Sequence, residues 1–208
     1  MEIITLKNIQ YFSCNTYLLI ENGHGVLIDP GFFNHELALK LKSLSSLDAI
    51  LLTHKHFDHI RGLDIISKMF PETKIYSYLT KDKFLLDTRI NCSYYMTPDN
   101  LVFFNNLKIN NLSDGDFSVD DFKFKIYHTP GHTSDSVIIL IADNIFVGDL
   151  VFRQGIGRCD LPTSSKIDME LSLKLFKKII TGRHFEIYFG HDDSISSEEL
   201  LLKNVYLK

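Results

Sequence analysis

No run of apolar residues in this sequence approaches the roughly 20 that a membrane-crossing helix needs, so a membrane span is not expected. Cysteine is scarce. Cys14, Cys92 and Cys159 are odd in number and widely spaced, which predicts free thiols in a reducing cytoplasm rather than a disulfide framework. Met1-Glu2-Ile3-Ile4-Thr5-Leu6 lacks the basic region and apolar core of a secretory signal. Cations are not in excess either. With 22 Lys and Arg against 26 Asp and Glu the net charge is -4, which argues against a nucleic-acid partner, because that affinity rests on clustered positive charge. Linkers, repeats and low-complexity stretches are also missing. What remains is an ordinary globular composition, 45% hydrophobic and 23% charged over 208 residues, read as one domain spanning 1–208.

What is present is concentrated in Thr53-His54-Lys55-His56-Phe57-Asp58-His59-Ile60-Arg61-Gly62. Three imidazoles and a carboxylate fall between His54 and His59, directly after the apolar run Ala49-Ile50-Leu51-Leu52. Imidazole nitrogens and a carboxylate oxygen suit zinc and, less selectively, iron or manganese. His54 and His56, two apart at an extended strand end, point the same way, while Asp58 and His59, past a bend, face a second position. The spacing therefore suggests two metal ions.

The H-x-H-x-D-H run closing a strand resembles the signature of the metallo-β-lactamase-fold superfamily, and the resemblance covers essentially the whole chain. It implies an α/β (α+β) fold, a four-layer αββα sandwich, and three later ligands. Their counterparts are His132 in Thr129-Pro130-Gly131-His132-Thr133, Asp149 in Val147-Gly148-Asp149, and His191 in Phe189-Gly190-His191. Carried over, the pattern puts His54, His56 and His132 on one ion and Asp58, His59 and His191 on the other, with Asp149 bridging. Two ions about 3.5–4 Å apart share a water, lower its pKa and deliver hydroxide to an electrophilic carbon or phosphorus. Asp58 is read first as a ligand and second as the proton acceptor of the nucleophilic water. Asp29 resembles an outer-sphere aspartate that would orient a ligand histidine, although an Asp before Pro30-Gly31 is also an ordinary turn residue.

The elements around the motif follow from pattern. Thr16–Ile20 and Val26–Ile28 read as strands joined by a hairpin turn at Glu21-Asn22-Gly23-His24-Gly25. Leu37, Leu41 and Leu44 mark one helix, and Leu63, Ile66 and Phe70 a second that Pro71 ends. Lys74–Tyr78 reads as a strand and Lys81–Leu86 as a short helix. Asp87–Asn100 shows no period; the resemblance implies a loop or insert beside the site, and a packed surface loop is the alternative. Phe122–Tyr127 alternates as a half-buried strand, whereas Val137–Ala142 and Ile145–Val147 are apolar throughout, as strands covered on both faces. Met169, Leu173, Phe176 and Ile180 define a helix face with Gly182 as its stop. Ile187–Phe189 reads as the last strand, and Ser196-Ser197-Glu198-Glu199 as a capping box before a terminal helix. His128 is read as a strand-end residue, and His24, His35 and His184 as solvated.

Several residues narrow the branch. Asp149 stands where zinc β-lactamases usually have cysteine, which disfavours antibiotic hydrolysis. His56 stands where the flavodiiron branch has glutamate. Gly157-Arg158-Cys159-Asp160-Leu161-Pro162 resembles the G-R-x-D-x-P run of glyoxalase II-like hydrolases and persulfide dioxygenases, with Arg158 and Asp160 expected to pin the loop by an ion pair. Thr163-Ser164 and Asp192 depart from the glycines common in those relatives, and the helical glutathione-gripping domain of larger glyoxalase II enzymes has no counterpart. The expectation is a cytoplasmic dinuclear hydrolase acting on a small-molecule thioester such as S-lactoylglutathione. The alternative is a mononuclear iron persulfide dioxygenase, for which His54, His132 and Asp149 would supply a facial triad. A non-catalytic, metal-stabilised binding module is a third reading, disfavoured by a full ligand set on strand ends.

Overall fold

The computed structural model describes residues 1–7, 14–97, 99 and 101–208. Among them lie two six-stranded mixed sheets. The first contains β1 (Glu2–Leu6), β2 (Thr16–Glu21), β3 (His24–Ile28), β4 (Ser46–Leu51), β5 (Lys74–Ser77) and β6 (Ile109–Asn111), in that spatial order. The second contains β7 (Gly115–Val119), β8 (Phe122–His128), β9 (Val137–Ile141), β10 (Asn144–Gly148), β11 (Glu186–Phe189) and β12 (Ile195–Ser196), also in order of sequence. Helices α1 (His35–Lys42), α2 (Phe57–Ile60), α3 (Leu63–Met69), α4 (Ser93–Met96), α5 (Lys166–Ile180) and α6 (Ser197–Lys203) complete the layers.

Residue parity explains the layering. Side chains alternate faces along a strand, and Tyr17, Leu19, Val26, Ile28, Ala49 and Leu51 meet Phe122, Phe124, Ile126, Ile139 and Phe146 between the two sheets. The intervening residues Leu18, Leu27 and Ile50 face outward and are covered by Leu37 and Leu41 of α1 and by Leu63 and Ile66 of α3. On the far side Ile138, Ile145, Val147 and Ile187 are covered by Met169, Leu173, Phe176 and Ile180 of α5. Three apolar seams between four layers give the αββα sandwich. Truncating a filled seam position such as Phe176, fully buried, costs about 3–5 kcal/mol.

Local chemistry sets the boundaries. Asn22 and Gly23 hold φ of 51° and 83°, the left-handed pair that a two-residue hairpin turn demands between β2 and β3. Ser165 and Ser196 cap α5 and α6 by accepting from Asp168 N and Glu199 N. Gly182, at φ 76°, follows α5 after Thr181. One reading fails: Lys81–Leu86 is not a helix. Two bonds to Lys83 O, from Leu86 N and Asp87 N, close a single turn there, and Asp82 is drawn instead to the Ser134 hydroxyl. Part of the unpatterned stretch is helical, since Ser93–Met96 forms α4, while Pro98 and Asn100 lie outside the described residues. No helix among the described residues is long and apolar enough to cross a membrane.

Candidate metal centre

β3 runs parallel to β4, and β10 parallel to β11, so both sheets deliver carboxyl-terminal strand ends to one edge. Open α/β sheets place their ligand crevices at such ends. Asp29 follows β3, Asp149 follows β10, and His191 lies two residues past β11. His54 and His56 sit just beyond β4 rather than within it, and His56 keeps an extended backbone (φ -65°, ψ 151°) as the residue before α2. Asp58 and His59 are on that one-turn helix, and His132 is on the loop between β8 and β9. Two backbone bonds stitch the edge together: Val137 N to Thr53 O at 2.8 Å and Gly190 N to Gly148 O at 2.9 Å. Gly190 is required by close approach, because a Cβ there would lie 2.1 Å from Asp149 Oδ1.

All seven residues singled out from the sequence converge. They form three overlapping groups, His54/His56/His132, His54/His59/Asp149 and Asp58/His59/His191, each offering one ligand atom per residue within 4.8 Å of the others. Asp149 faces both sides: its Oδ1 is 3.4 Å from His59 Nε2, and its Oδ2 is 3.5 Å from His191 Nε2 and 3.6 Å from His132 Nε2. His191 Nε2 is also 3.2 Å from Asp58 Oδ2.

The outward-facing nitrogens are occupied. His59 Nδ1 donates to Asp29 Oδ2 at 2.9 Å, and His132 Nδ1 donates to the Arg158 carbonyl at 2.9 Å. Each bond fixes the tautomer that leaves Nε2 with its lone pair toward the centre. His56 is turned the other way, with Nδ1 2.9 Å from His132 Nε2 and Nε2 3.5 Å from the Cys92 sulfur. Thr53 supports the same shell by donating through N and Oγ1 to Asp29 at 2.7 and 2.5 Å. Asp29 is therefore more than a turn residue. Inside this shell, His54 Nε2, His59 Nε2 and Asp149 Oδ1 are buried and have no hydrogen-bond partner. Leaving a buried polar atom unmet costs about 1–3 kcal/mol. Three such atoms in one group of nitrogen and carboxylate donors are matched to a cation.

The charge states of His54 and His56 agree with that fit, whereas at His59 burial opposes charge but Cys14, Asp29 and Asp58 raise the imidazole well above its ordinary value. Burial pushes the His56 imidazole down to about 3, helped by His132, and holds His54 well below its ordinary value, helped by His59. Both therefore present neutral nitrogens, the form a metal requires. Burial works against ionising Asp149, yet His191 and His59 hold it well below the usual carboxylate range. Burial likewise opposes charge on His191, but Asp149 and Asp58 lift it to about 11. The carboxylates call for positive charge at this spot.

A cavity of about 390 Å³ opens above the cluster. Its wall includes Phe57, Phe152 and Leu161 together with Cys92, Tyr95 and Met96 from the segment between β5 and β6, as expected of an insert beside the site. Arg158 also lines it, paired in a two-pronged contact with Asp160 at 2.9 and 3.0 Å, the ion pair read from the loop sequence. Sequence reasoning missed Cys92 and the buried pair Lys55–Asp135, since neither lies in a motif with a period or spacing of its own. Asp192 is not among the residues lining the cavity, and its carboxylate accepts from Arg153 N. His128 ends β8 as expected, and His35 and His184 are exposed, but His24 is partly buried, with Nδ1 3.2 Å from Asp48 Oδ2 and 2.9 Å from Asp120 Oδ2.

The chain is similar over 186 residues to a probable metallo-hydrolase of Streptococcus pyogenes serotype M6, at 33% identity, covering 86% of this chain and 79% of that one. A hydroxyacylglutathione hydrolase of Francisella tularensis subsp. novicida is 31% identical over 156 residues, 74% of this chain but 51% of its own length. Among solved structures, the BLEG-1 B3 metallo-β-lactamase superposes over the whole of both chains with a TM-score of 0.88 at 27% identity. The model of the metallo-β-lactamase superfamily matches residues 10–191, a span that contains all seven converging side chains, and the chain belongs to that superfamily.

Proposed function

We propose that this chain is a dinuclear metal-dependent hydrolase that cleaves a small thioester such as S-lactoylglutathione. The reading assigns His54, His56 and His132 to one ion and Asp58, His59 and His191 to the other, with Asp149 shared. The observation that carries it is the buried, unpartnered trio of His54 Nε2, His59 Nε2 and Asp149 Oδ1 beneath an open cavity. Zinc is the ion this nitrogen and oxygen set favours, with iron or manganese as the less selective occupants.

When bound, a divalent pair supplies the Lewis acidity that activates water near neutral pH and polarises the scissile carbonyl. The chain's own residues do the rest. Asp29 and the Arg158 carbonyl keep the His59 and His132 rings aimed inward. Asp58, at the cavity wall, is assigned the proton of the attacking water as a second role. Phe57, Met96, Phe152 and Leu161 exclude bulk water and pack the acyl or thiol portion of the substrate. The thioester class is supported by the likeness to the Francisella hydrolase and by Gly157-Arg158-Cys159-Asp160-Leu161-Pro162. Three free cysteines support a reducing cytoplasm, and the net charge of -4 supports a small molecule over a nucleic acid.

A second reading, β-lactam hydrolysis, is favoured by the full-length likeness to the B3 enzyme. One experiment separates the readings. Zinc-loaded protein is given a lactoyl thioester under nitrogen and in air, with free-thiol release followed beside a β-lactam panel. Iron-loaded protein is given glutathione persulfide with oxygen uptake recorded. Thiol release at equal rates in both atmospheres is the expected result. β-Lactam opening without thiol release would transfer the assignment to the second reading, and oxygen uptake without thiol release would make the protein a persulfide dioxygenase.

A further inference from the structure

Lys55 stands between His54 and His56, yet its side chain leaves the centre. Only 5% of it is exposed, and its ammonium meets Asp135 Oδ2 at 2.5 Å, Ser77 Oγ at 2.9 Å and the Tyr78 carbonyl at 3.0 Å. Those are three acceptors for three N–H donors. The same ammonium lies 5.2 Å over the Phe84 ring. Asp135 is fully buried, and its second oxygen accepts from the Thr133 hydroxyl at 2.8 Å. Thr133 adjoins His132. The pair thus joins the loop after β4, in the first sheet, to the β8–β9 loop of the second, 80 residues apart in sequence.

A buried ion pair is weak grounds for a stabilising role. Desolvation of two charges consumes most of their attraction, and apolar replacements of similar volume are often neutral or better. What such a pair offers that an apolar contact does not is direction. Its hydrogen bonds fix the distance and orientation of the two backbones they join. Here those backbones carry His54 and His56 on one side and His132 on the other, the members of a single donor group.

Resting on the metal assignment made above, we propose that Lys55 and Asp135 are positioning residues that set the spacing of the His54/His56 loop against the His132 loop, and with it the affinity for the first ion. Neither touches the ion or substrate, so they act through the imidazoles they hold in register. Outer partners of metal ligands are typically worth about 10–100-fold in metal affinity, and this pair controls two loops at once.

The test compares the parent with Lys55→Met, Asp135→Asn and the double variant Lys55→Met/Asp135→Leu. Zinc affinity is measured by chelator competition, cobalt substitution reports ligand geometry by its absorption spectrum, and thermal unfolding of the metal-free proteins reports the fold. A single variant that leaves one charge buried and unpaired is expected to fold poorly. The double variant leaves none, and is expected to keep the parent's metal-free unfolding temperature while binding one zinc equivalent about 10–100-fold more weakly with an altered cobalt spectrum. A folded double variant with the parent's zinc affinity and spectrum would overturn the positioning role and leave the pair a filler of buried space. A parent that binds no divalent ion would overturn the functional reading, and this assignment with it.

Discussion

Two histidine–carboxylate clusters lie at opposite ends of β3 and β4. At the amino ends, His24, Asp48 and Asp120 bring one ligand atom each within 4.8 Å, the same criterion that the His54/His59/Asp149 group meets at the carboxyl ends. Proximity and residue type do not separate them. Burial and satisfaction do. His24 Nδ1 is met by Asp120 at 2.9 Å, by Ser46 at 3.0 Å and by Asp48 at 3.2 Å, and the His24 and Asp120 side chains are 36% and 47% exposed. Its groups serve one another in water. At the carboxyl ends, Asp29 and the Arg158 carbonyl turn the His59 and His132 rings inward, and His54 Nε2, His59 Nε2 and Asp149 Oδ1 are left unmet around a shared space. A coordination centre is distinguished by partners that face outward as much as by ligands that face inward.

The largest expected effect is at the shared carboxylate. Asp149→Ala should lose bound metal and thioester cleavage together, by more than the roughly 10–100-fold that an outer partner commands. Elemental analysis of the purified variant checks it, and metal occupancy equal to the parent's would show that the carboxyl-end cluster is no more a ligand set than the one around His24.

A smaller effect is expected one layer out. Asp29→Ala strands the His59 Nδ1–H and two donors of Thr53, so zinc affinity should fall about 10–100-fold. Stability should fall by about 1–3 kcal/mol from unmet buried donors. Chelator competition and denaturant unfolding read the two separately. A stability loss with unchanged affinity would make Asp29 a structural bond of the same kind as those at the other end.

The smallest effect belongs to the exposed cluster. Asp120→Asn removes one partner of a solvent-facing pair and should change stability by no more than about 0.5 kcal/mol, with metal stoichiometry untouched. Loss of a metal equivalent in this variant alone would erase the distinction between the two ends.

Much of this is legible in the sequence itself. The left-handed turn at Asn22-Gly23, the four buried apolar positions of α5 and the Ser196 cap are local, and local patterns carry their own period or chemistry. His54, His56, Asp58 and His59 were legible as one dense run after an apolar strand, and His132, Asp149 and His191 through the resemblance to the superfamily. Lys81–Leu86 misled because its composition tolerates a helix, while its contacts, Asp82 to Ser134 and Phe84 to Lys55, are decided by other segments. The Lys55–Asp135 pair and the approach of Cys92 to His56 are contacts across 80 and 36 residues, and no window of sequence holds both partners.

The cavity draws its floor and its wall from different parts of the chain. The floor is tied to strand ends of both sheets, whereas Cys92, Tyr95 and Met96 of the wall belong to one excursion between β5 and β6. That excursion is anchored to the motif by the bond from Phe57 N to the Asn91 carbonyl at 2.9 Å, and its own turn is held by the Asn91 side chain on Phe84 O and Val102 O. The molecule is thus divided like a tool with a fixed cutting edge and an exchangeable guide. If the proposed function holds, replacing the guide between its anchor points is expected to change which molecule is presented, while the edge keeps its ligands, its outer partners and its fold.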